Sequence, residues 1–423
     1  MASAFAGESY LLFDGAYGTL LQQAHIKEAD TLPELLALNR PELITSLHRA
    51  YVEAGADVIT LDTFGANAAK LGDEASVEQV FAAAAKCARD AGAPLLAAEI
   101  GPLMSFMKPT GTVSFDEAYG YFAEEARAGE AAGADLFIIE TMTDLAMCRA
   151  ALLAVHENCS LPVIALMTFD ENGHTLAGNT PAACARVLSG MGADAIGMNC
   201  TLTPSQAVQV VKEIVENSTC PVCAQPNAGK PDVSEGIPVY DMSPDGYAGD
   251  YRELLDSGVG IVGSCCGTTP EYTKALRDEI DKRAPAPRSG HAGRFIASAR
   301  EVIELTEGAE AVEGFACLLN PDGKVDAGAL STSVLAAMTS SARVMELDLT
   351  NATETQAAEA VQTVQMFSAK PLWLTAADPA VLEEAVRVCV GLPLVSLEGD
   401  DAAINGKLME RLALHYGCVT ANG

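Results

Sequence analysis

Short apolar runs rich in Val, Ile and Leu recur through the first two thirds of the chain, at residues 11–14, 58–63, 95–100, 136–141, 163–169, 195–200, 222–227 and 261–266. Between them lie Ala-rich stretches whose apolar positions return every three or four residues, as in FDEAYGYFAEEARAGEAAGAD (115–135), the spacing of one helix face. Runs that are apolar without alternation suit strands buried on both faces. Eight such strands alternating with helices over about 275 residues match the size of an α/β fold of the (β/α)8 TIM-barrel type. An open, doubly wound sheet is the competing architecture. The polar exceptions favour the barrel: Asp14, Asp62, Thr63, Glu99, Glu140, Asn199, Cys200, Asn227, Cys265 and Cys266 all fall at the C-terminal ends of the runs. That is the face on which barrels assemble their sites from the βα loops.

Residues 284–294, APAPRSGHAGR, combine Pro, Gly and basic residues without periodicity and read as a linker. They divide a barrel domain, 1–283, from a second domain, 295–423. The second domain has strand-like runs at 315–319, 344–349, 372–376, 394–397 and 418–420, separated by helical stretches such as TETQAAEAVQTVQMFSA. Five β units predict a smaller, incomplete, half-barrel-like α/β domain. An open sheet edge is a pairing liability unless something covers it, so this domain is the expected contact of a homo-oligomer.

Composition narrows the partners. With 26 Lys+Arg against 57 Asp+Glu the net charge is −31, which repels nucleic acid and anionic membrane surfaces. The N-terminus MASAFAGESY lacks the basic start and apolar core of an export signal, and the apolar runs are far shorter than the ~20 residues of a membrane helix. A cytoplasmic chain with no membrane contact is expected. Its twelve cysteines then read as reduced thiols rather than a disulfide framework. Cys87, Cys148, Cys159, Cys184, Cys220, Cys317, Cys389 and Cys418 stand singly in helical or strand patterns, as small buried hydrophobes do.

The chemistry concentrates in GSCCGTTP (263–270) and MNC (198–200). A vicinal Cys pair at the end of one buried strand and a third Cys at the end of another can meet at the barrel mouth. Three Cys ligands leave one tetrahedral position open, as in a catalytic zinc site. A zinc ion with three thiolates is a poor activator of water but a suitable seat for a substrate thiol. The alternative is a buried apolar Cys pair with a structural Cys200.

FDGAYGT (13–19), DTFGAN (62–67), ETMTDL (140–145), MTFDENG (167–173), MNCTLTP (198–204), QPNAGKP (225–231) and GSCCGTTP (263–270), in that order, resemble the homocysteine S-methyltransferase family, in particular the homocysteine domain of cobalamin-dependent methionine synthases. The resemblance covers the whole first domain. It implies Zn2+ on Cys200, Cys265 and Cys266, homocysteine as substrate, and methionine as product. It also implies that Asp14 and Glu140 hold the substrate ammonium group, while backbone N–H groups from Ala16 through Gly18 to Thr19 receive its carboxylate. Otherwise Asp14 caps a loop and Glu140 pairs with a local base. Asn199 is placed on the substrate side, although amides such as Asn199 and Asn227 also commonly tie loop backbone. No catalytic group beyond the metal site is expected. Asp62 and Glu99 depart from the family pattern, either as plain strand-end residues or as extra negative charge in the cleft.

The second domain resembles the first half of the methyltetrahydrofolate-binding barrel of the same synthases, through LLNPDGK (318–324), ELDLT (346–350), DPAVLEEAVRVCVGLPLV (378–395) and LMERLALHYG (408–417). Asp348 and Asn320 persist, but Cys317-Leu318-Leu319, Thr375 and Ser396-Leu397 replace expected pterin partners, so folate binding is not expected. No Asp-x-His-x-x-Gly cobalamin loop is present, and the six His residues are scattered. The methyl donor is therefore expected on a separate methyl-corrinoid protein. S-methylmethionine or betaine is the alternative donor, and a non-catalytic scaffold of a corrinoid system is a third reading.

Overall fold

The computed structural model describes residues 1–23, 32–230, 240–291, 293–306, 312–320, 322–398 and 402–421. The chain divides into two compact units, Met1–Ala177 with Ala193–Gly290, and Gly178–Gly192 with His291–Gly423.

The first unit holds eight strands: β1 (Leu11–Leu12), β2 (Val58–Thr60), β3 (Leu95–Ile100), β4 (Leu136–Met142), β5 (Val163–Met167), β6 (Ala195–Asn199), β7 (Val222–Gln225) and β8 (Ile261–Val262). They pair in parallel in the order β1-β8-β7-β6-β5-β4-β3-β2. A parallel bridge between Phe13 and Val58 brings β1 to β2 and closes the barrel. Asp57 N donating to Leu12 O at 2.7 Å and Asp14 N donating to Val58 O at 3.2 Å complete the seam. The TIM-barrel expectation is met; β1 and β8 are two residues each, and the chain turns directly above them into the loops that carry Asp14 and Cys265–Cys266.

The helices start and stop where local chemistry dictates. Ser76 with Gln79, Ser114 with Glu117 and Thr203 with Gln206 form reciprocal capping boxes. Gly55, Gly92 and Gly133 end their helices in the left-handed conformation.

Side chains alternate across each strand, so every second residue points into the barrel. Leu11, Phe13, Val58, Ala97, Leu136, Ile138, Ile164, Leu166, Ala195, Cys223 and Ile261 form one buried cluster, and Ala4 and Phe5 of the helix Ala2–Phe5 join it. Two residues further along the strands the same inward positions become Thr60, Glu99, Glu140, Thr168 and Gln225, and four residues beyond Ala195 comes Asn199. An apolar core thus gives way to a polar layer at the C-terminal face, and that switch positions the site.

The second unit begins its sheet structure with an antiparallel hairpin, β9 (Phe295–Ala297) and β10 (Val302–Glu304). The hairpin is absent from the sequence expectation because three-residue strands carry too little periodicity to register. A parallel sheet follows in the order β11 (Val312–Ala316), β12 (Val344–Asp348), β13 (Leu372–Ala376), β14 (Leu394–Leu397) and β15 (Val419–Thr420). The five expected β units are present. β11 lies three residues earlier than its apolar pattern suggests, and Leu318 and Leu319 stay exposed beyond it. On one face Val344 is buried with Ile296 and Ile303 of the hairpin, and Trp373, Leu394 and Val419 pack against them. Among the described residues no helix is long and apolar enough to cross a membrane.

Candidate active site

Two loops at the C-terminal face bring the three sulfur atoms together. Immediately after β6 the backbone turns back, with Cys200 and Thr201 in the left-handed region at φ 64° and 57°. Non-glycine residues adopt that region only where their surroundings impose it. Here the turn is held by Cys200 N donating to Gln225 O at 3.0 Å and Leu202 N donating to Cys200 O at 2.7 Å. Cys265 and Cys266 follow β8, fixed by Cys265 N donating to Pro226 O and Ala228 N donating to Cys266 O, both at 3.0 Å. The Cys200 and Cys266 sulfurs are 3.8 Å apart, the Cys265 and Cys266 sulfurs 3.9 Å, and all three lie within 4.8 Å of one another. All are half-buried. Hydrogen bonds from Cys265 and Cys266 pull the Cys200 thiol far below the usual thiol range, while the same sharing pushes the Cys265 and Cys266 thiols up. The trio can hold a metal ion and leaves one tetrahedral position free for another ligand.

Asn199, the last residue of β6, ties three strands. Its Oδ1 accepts from Thr141 N at 2.7 Å; its Nδ2 donates to Thr141 Oγ1 at 2.9 Å and to Glu140 Oε2 at 3.3 Å. Thr168 Oγ1 donates to its carbonyl at 3.1 Å. Thr141 is left-handed at φ 58°, and the β4–β5 register shifts between Ile139 and Met142, so a local irregularity re-aims the strand at Glu140. Asp14 is buried and accepts from Thr60 N at 2.8 Å, Thr60 Oγ1 at 2.8 Å and Tyr17 OH at 2.5 Å. Burial pushes its carboxyl up to about 7, against the pull of those hydrogen bonds. Tyr17 OH also lies 2.8 Å from His48 Nδ1. With its one proton given to Asp14, the phenol must accept there, which puts a proton on His48 Nδ1. Burial lowers the His48 pKa to about 3, favouring the neutral ring.

The loop after β1 is knotted to the loop after β8. Ala16 N donates to Thr268 Oγ1 at 3.2 Å, Thr268 Oγ1 donates to Cys265 O at 2.7 Å, and Gly267 N donates to Thr19 Oγ1 at 3.0 Å. The Ala16 amide is thus engaged, whereas Gly18 and Thr19 lie in the first turn of the helix Tyr17–Gln23, where amides have no intrahelical acceptor.

Residues 11–280 match the family model described as homocysteine S-methyltransferase. The chain belongs to that family. It is 30% identical to the methionine synthase of Mycobacterium tuberculosis over 286 residues, which cover 62% of this chain and 24% of that protein. The methionine synthase of Mycobacterium leprae is 28% identical over the same length and coverage. The chain therefore spans about a quarter of the length of these curated relatives. The metallated form of the homocysteine methyltransferase MmuM from Escherichia coli is similar in fold, with a TM-score of 0.54 at 22% identity over 64% of this chain and 97% of that one. The oxidized form of the same protein gives 0.54 at 21%.

In this homocysteine S-methyltransferase barrel, Glu99 points inward from β3, directly before Ile100 and beside Glu140 of β4. Burial, then the charge of Glu140 and a hydrogen bond with it, hold the Glu99 carboxyl well above the usual range. Burial, with the Glu34 charge added and Lys70 opposing, pushes Asp62 up to about 8, and Asp62 Oδ2 has no hydrogen-bond partner among the described residues. Asp62 and Glu99 thus both lie in the buried polar zone. The sequence pattern did not single out Tyr17, His48, Thr268 or Tyr240; only the motif position of Tyr17 and Thr268 hints at a role, and the other two reach the site through tertiary packing alone.

Proposed function

We propose that this barrel methylates the sulfur of homocysteine to give methionine, with zinc on Cys200, Cys265 and Cys266. The observation that carries the reading is the convergence of three sulfurs on a barrel mouth that also presents the carboxyls of Asp14 and Glu140. The donor set fits: three half-buried thiols from two loops leave room for one further ligand. Zinc bound there would hold the substrate thiol and acidify it toward a thiolate at neutral pH.

The chain's own residues supply binding and orientation. Asp14 and Glu140 receive the ammonium group; the Thr60 and Tyr17 hydrogen bonds aim Asp14, and Asn199 aims Glu140. Asn199 thereby acts on the substrate side through Glu140. The first-turn amides of Gly18 and Thr19 receive the substrate carboxylate, with Ala16 anchoring their loop. The homocysteine sulfur forms a bond to the donor's methyl carbon while the carbon–donor bond breaks and its electron pair leaves with the donor. The thiol proton has already passed to solvent, so no general base is required, and proximity supplies much of the rate.

The donor we assign is a methyl-corrinoid on a separate protein, supported by the similarity to methionine synthases. A second reading, a sulfonium or quaternary ammonium donor such as S-methylmethionine or betaine, draws on the extra inward acid Glu99. The twelve free cysteines suit a reducing, cytoplasmic setting, and the open edge at β11, where Val312 is 38% exposed, suits self-association of the second unit. The test is methionine formation from homocysteine by zinc-loaded protein supplied with methylcobalamin, S-methylmethionine or betaine in turn. Turnover with methylcobalamin that disappears in Cys266→Ser supports the assignment. Turnover with S-methylmethionine or betaine alone moves the donor to the second reading, and no methionine from any donor overturns the activity.

A further inference from the structure

The helix Pro41–Ala54 presents two buried rings to the loop after β1. His48 and Tyr51, one turn apart, meet the Tyr17 ring edge-on, with ring centroids 5.2 and 5.7 Å away. Tyr51 OH also donates to Ala16 O at 2.9 Å. From the other side the loop after β8 brings two more hydroxyls: a Cβ added to Gly15 would sit 2.7 Å from Thr268 Oγ1, 2.8 Å from Ser264 Oγ and 3.1 Å from Tyr51 OH. The loop that carries Asp14 and Tyr17 is thus gripped on both sides, with a glycine where the hydroxyls close in.

Within that grip the direction of each hydrogen bond matters. An ionised carboxylate offers about four acceptor sites. On Asp14 three are filled: Oδ2 accepts from Thr60 N at 2.8 Å and Tyr17 OH at 2.5 Å, and Oδ1 accepts from Thr60 Oγ1 at 2.8 Å. A site remains on Oδ1 for an N–H of an ammonium group. Were the Tyr17 proton turned instead to His48 Nδ1, 2.8 Å from the phenol oxygen, Asp14 would face a lone pair of that oxygen or would have to carry the missing proton itself. Either change removes the aim or the charge that an ammonium group needs.

The burial of His48 decides between the two arrangements. A neutral imidazole carries its proton on Nδ1 or on Nε2. Nε2 is buried without a partner among the described residues, so a proton there, in the neutral or the charged ring, would be an orphaned donor. A proton on Nδ1 is received by the Tyr17 oxygen. With that side occupied, the phenol donates toward Asp14.

Resting on the reading of Asp14 as an acceptor of the substrate ammonium group, we propose that His48 is a positioning residue for substrate binding: its Nδ1 proton sets the direction of the chain from His48 through Tyr17 to Asp14 and so keeps Asp14 an acceptor. His48 acts on the substrate through Tyr17 and does not touch it.

The test titrates the zinc-loaded chain with homocysteine and with 4-mercaptobutanoate, the same thiol acid without its amino group. His48→Phe keeps a buried ring and removes the donor; His48→Asn returns an N–H on an atom bonded to Cγ, as Nδ1 is. The expected result for His48→Phe is a homocysteine affinity lowered about tenfold, an unchanged affinity for 4-mercaptobutanoate, and recovery of most of the loss in His48→Asn. Tyr17→Phe should show the same ammonium-selective loss, and the double variant should bind no more weakly than Tyr17→Phe alone. Equal losses for the two ligands, or losses that add in the double variant, would make His48 a packing residue and overturn the inference. An unchanged homocysteine affinity in His48→Phe would overturn it as well. Wild-type protein that binds both ligands equally would instead remove the ammonium reading of Asp14, and the inference with it.

Discussion

The two units use the same strand-helix alternation and treat their polar strand positions in opposite ways. In the barrel, the inward residues at the C-terminal ends converge on one mouth and keep unspent capacity: Asp62 Oδ2, Gln225 Nε2 and Asn227 Oδ1 are buried without partners among the described residues. In the second unit the corresponding positions satisfy one another. Thr375 Oγ1 donates to Glu346 Oε1 at 3.0 Å, and Trp373 Nε1 donates to Ser396 Oγ at 2.7 Å. Asp348 accepts from Thr350 N at 2.9 Å within its own loop. Buried polar groups left unpaired cost stability, so a fold retains them where a ligand completes them. The contrast supports the proposal that the barrel is the unit that binds, while the named polar groups of the second sheet pair with one another.

The sharpest way to break this contrast is to remove one carboxylate from each unit. Glu140→Gln keeps an acceptor for Asn199 but removes the charge proposed to face the substrate ammonium. Losing a charge-assisted contact costs about 2–3 kcal/mol, or roughly 30- to 160-fold in affinity. Steady-state kinetics should show that loss in KM for homocysteine, with kcat nearly unchanged. Glu346→Gln in the second unit should leave both constants where they are. Equal effects in the two variants would end the distinction between a binding unit and a closed one.

Why one unit was legible in the sequence and the other less so follows from the same contrast. All eight barrel strands showed as apolar runs because they are buried on both faces, and the Cys trio showed because adjacent cysteines beside glycine at a strand end have few structural explanations. The runs extend past the strands, as 261–266 does past β8 (Ile261–Val262), because the loop continues through the buried Gly263 and Ser264 to the half-buried Cys265 and Cys266. β11 was misplaced because an edge strand with four of five residues exposed has no apolar face to reveal it. His48 looked like any helical residue, yet it is fully buried against Tyr17; Tyr240 touches a glycine distant in the chain. Such contacts are set by packing between elements, and single-residue patterns do not encode them.

A smaller effect sharpens the meaning of the unspent acids. Asp62 is held up at about 8 mainly by burial, against an ordinary value of 3.8. A carboxyl whose folded pKa is raised binds its proton more tightly when folded, so the stability linked to that proton is complete below 3.8 and drains away as pH rises through about 8. Asp62→Asn has no proton to lose. Thermal melts should therefore match wild type near the acid end of that window and exceed it by roughly 5 °C above pH 8. A variant less stable than wild type at high pH would mean that the carboxylate is charged and paired in the fold, and that the barrel zone is closed like the second sheet.

The smallest expected effect tests the closed face directly. Thr375→Val preserves shape on β13 and removes the hydroxyl that Glu346 accepts. Because Glu346 is half-buried, water can take the vacated position, so the loss is that of one ordinary hydrogen bond, about 1 kcal/mol. Denaturant melts of the second unit's transition should shift by that amount, and homocysteine binding by the full chain should not change. A shift several times larger would show that the Thr375–Glu346 pair anchors the whole sheet face. No shift would show that the face is already solvated, and the internal closure that separates the two units would lose its energetic basis.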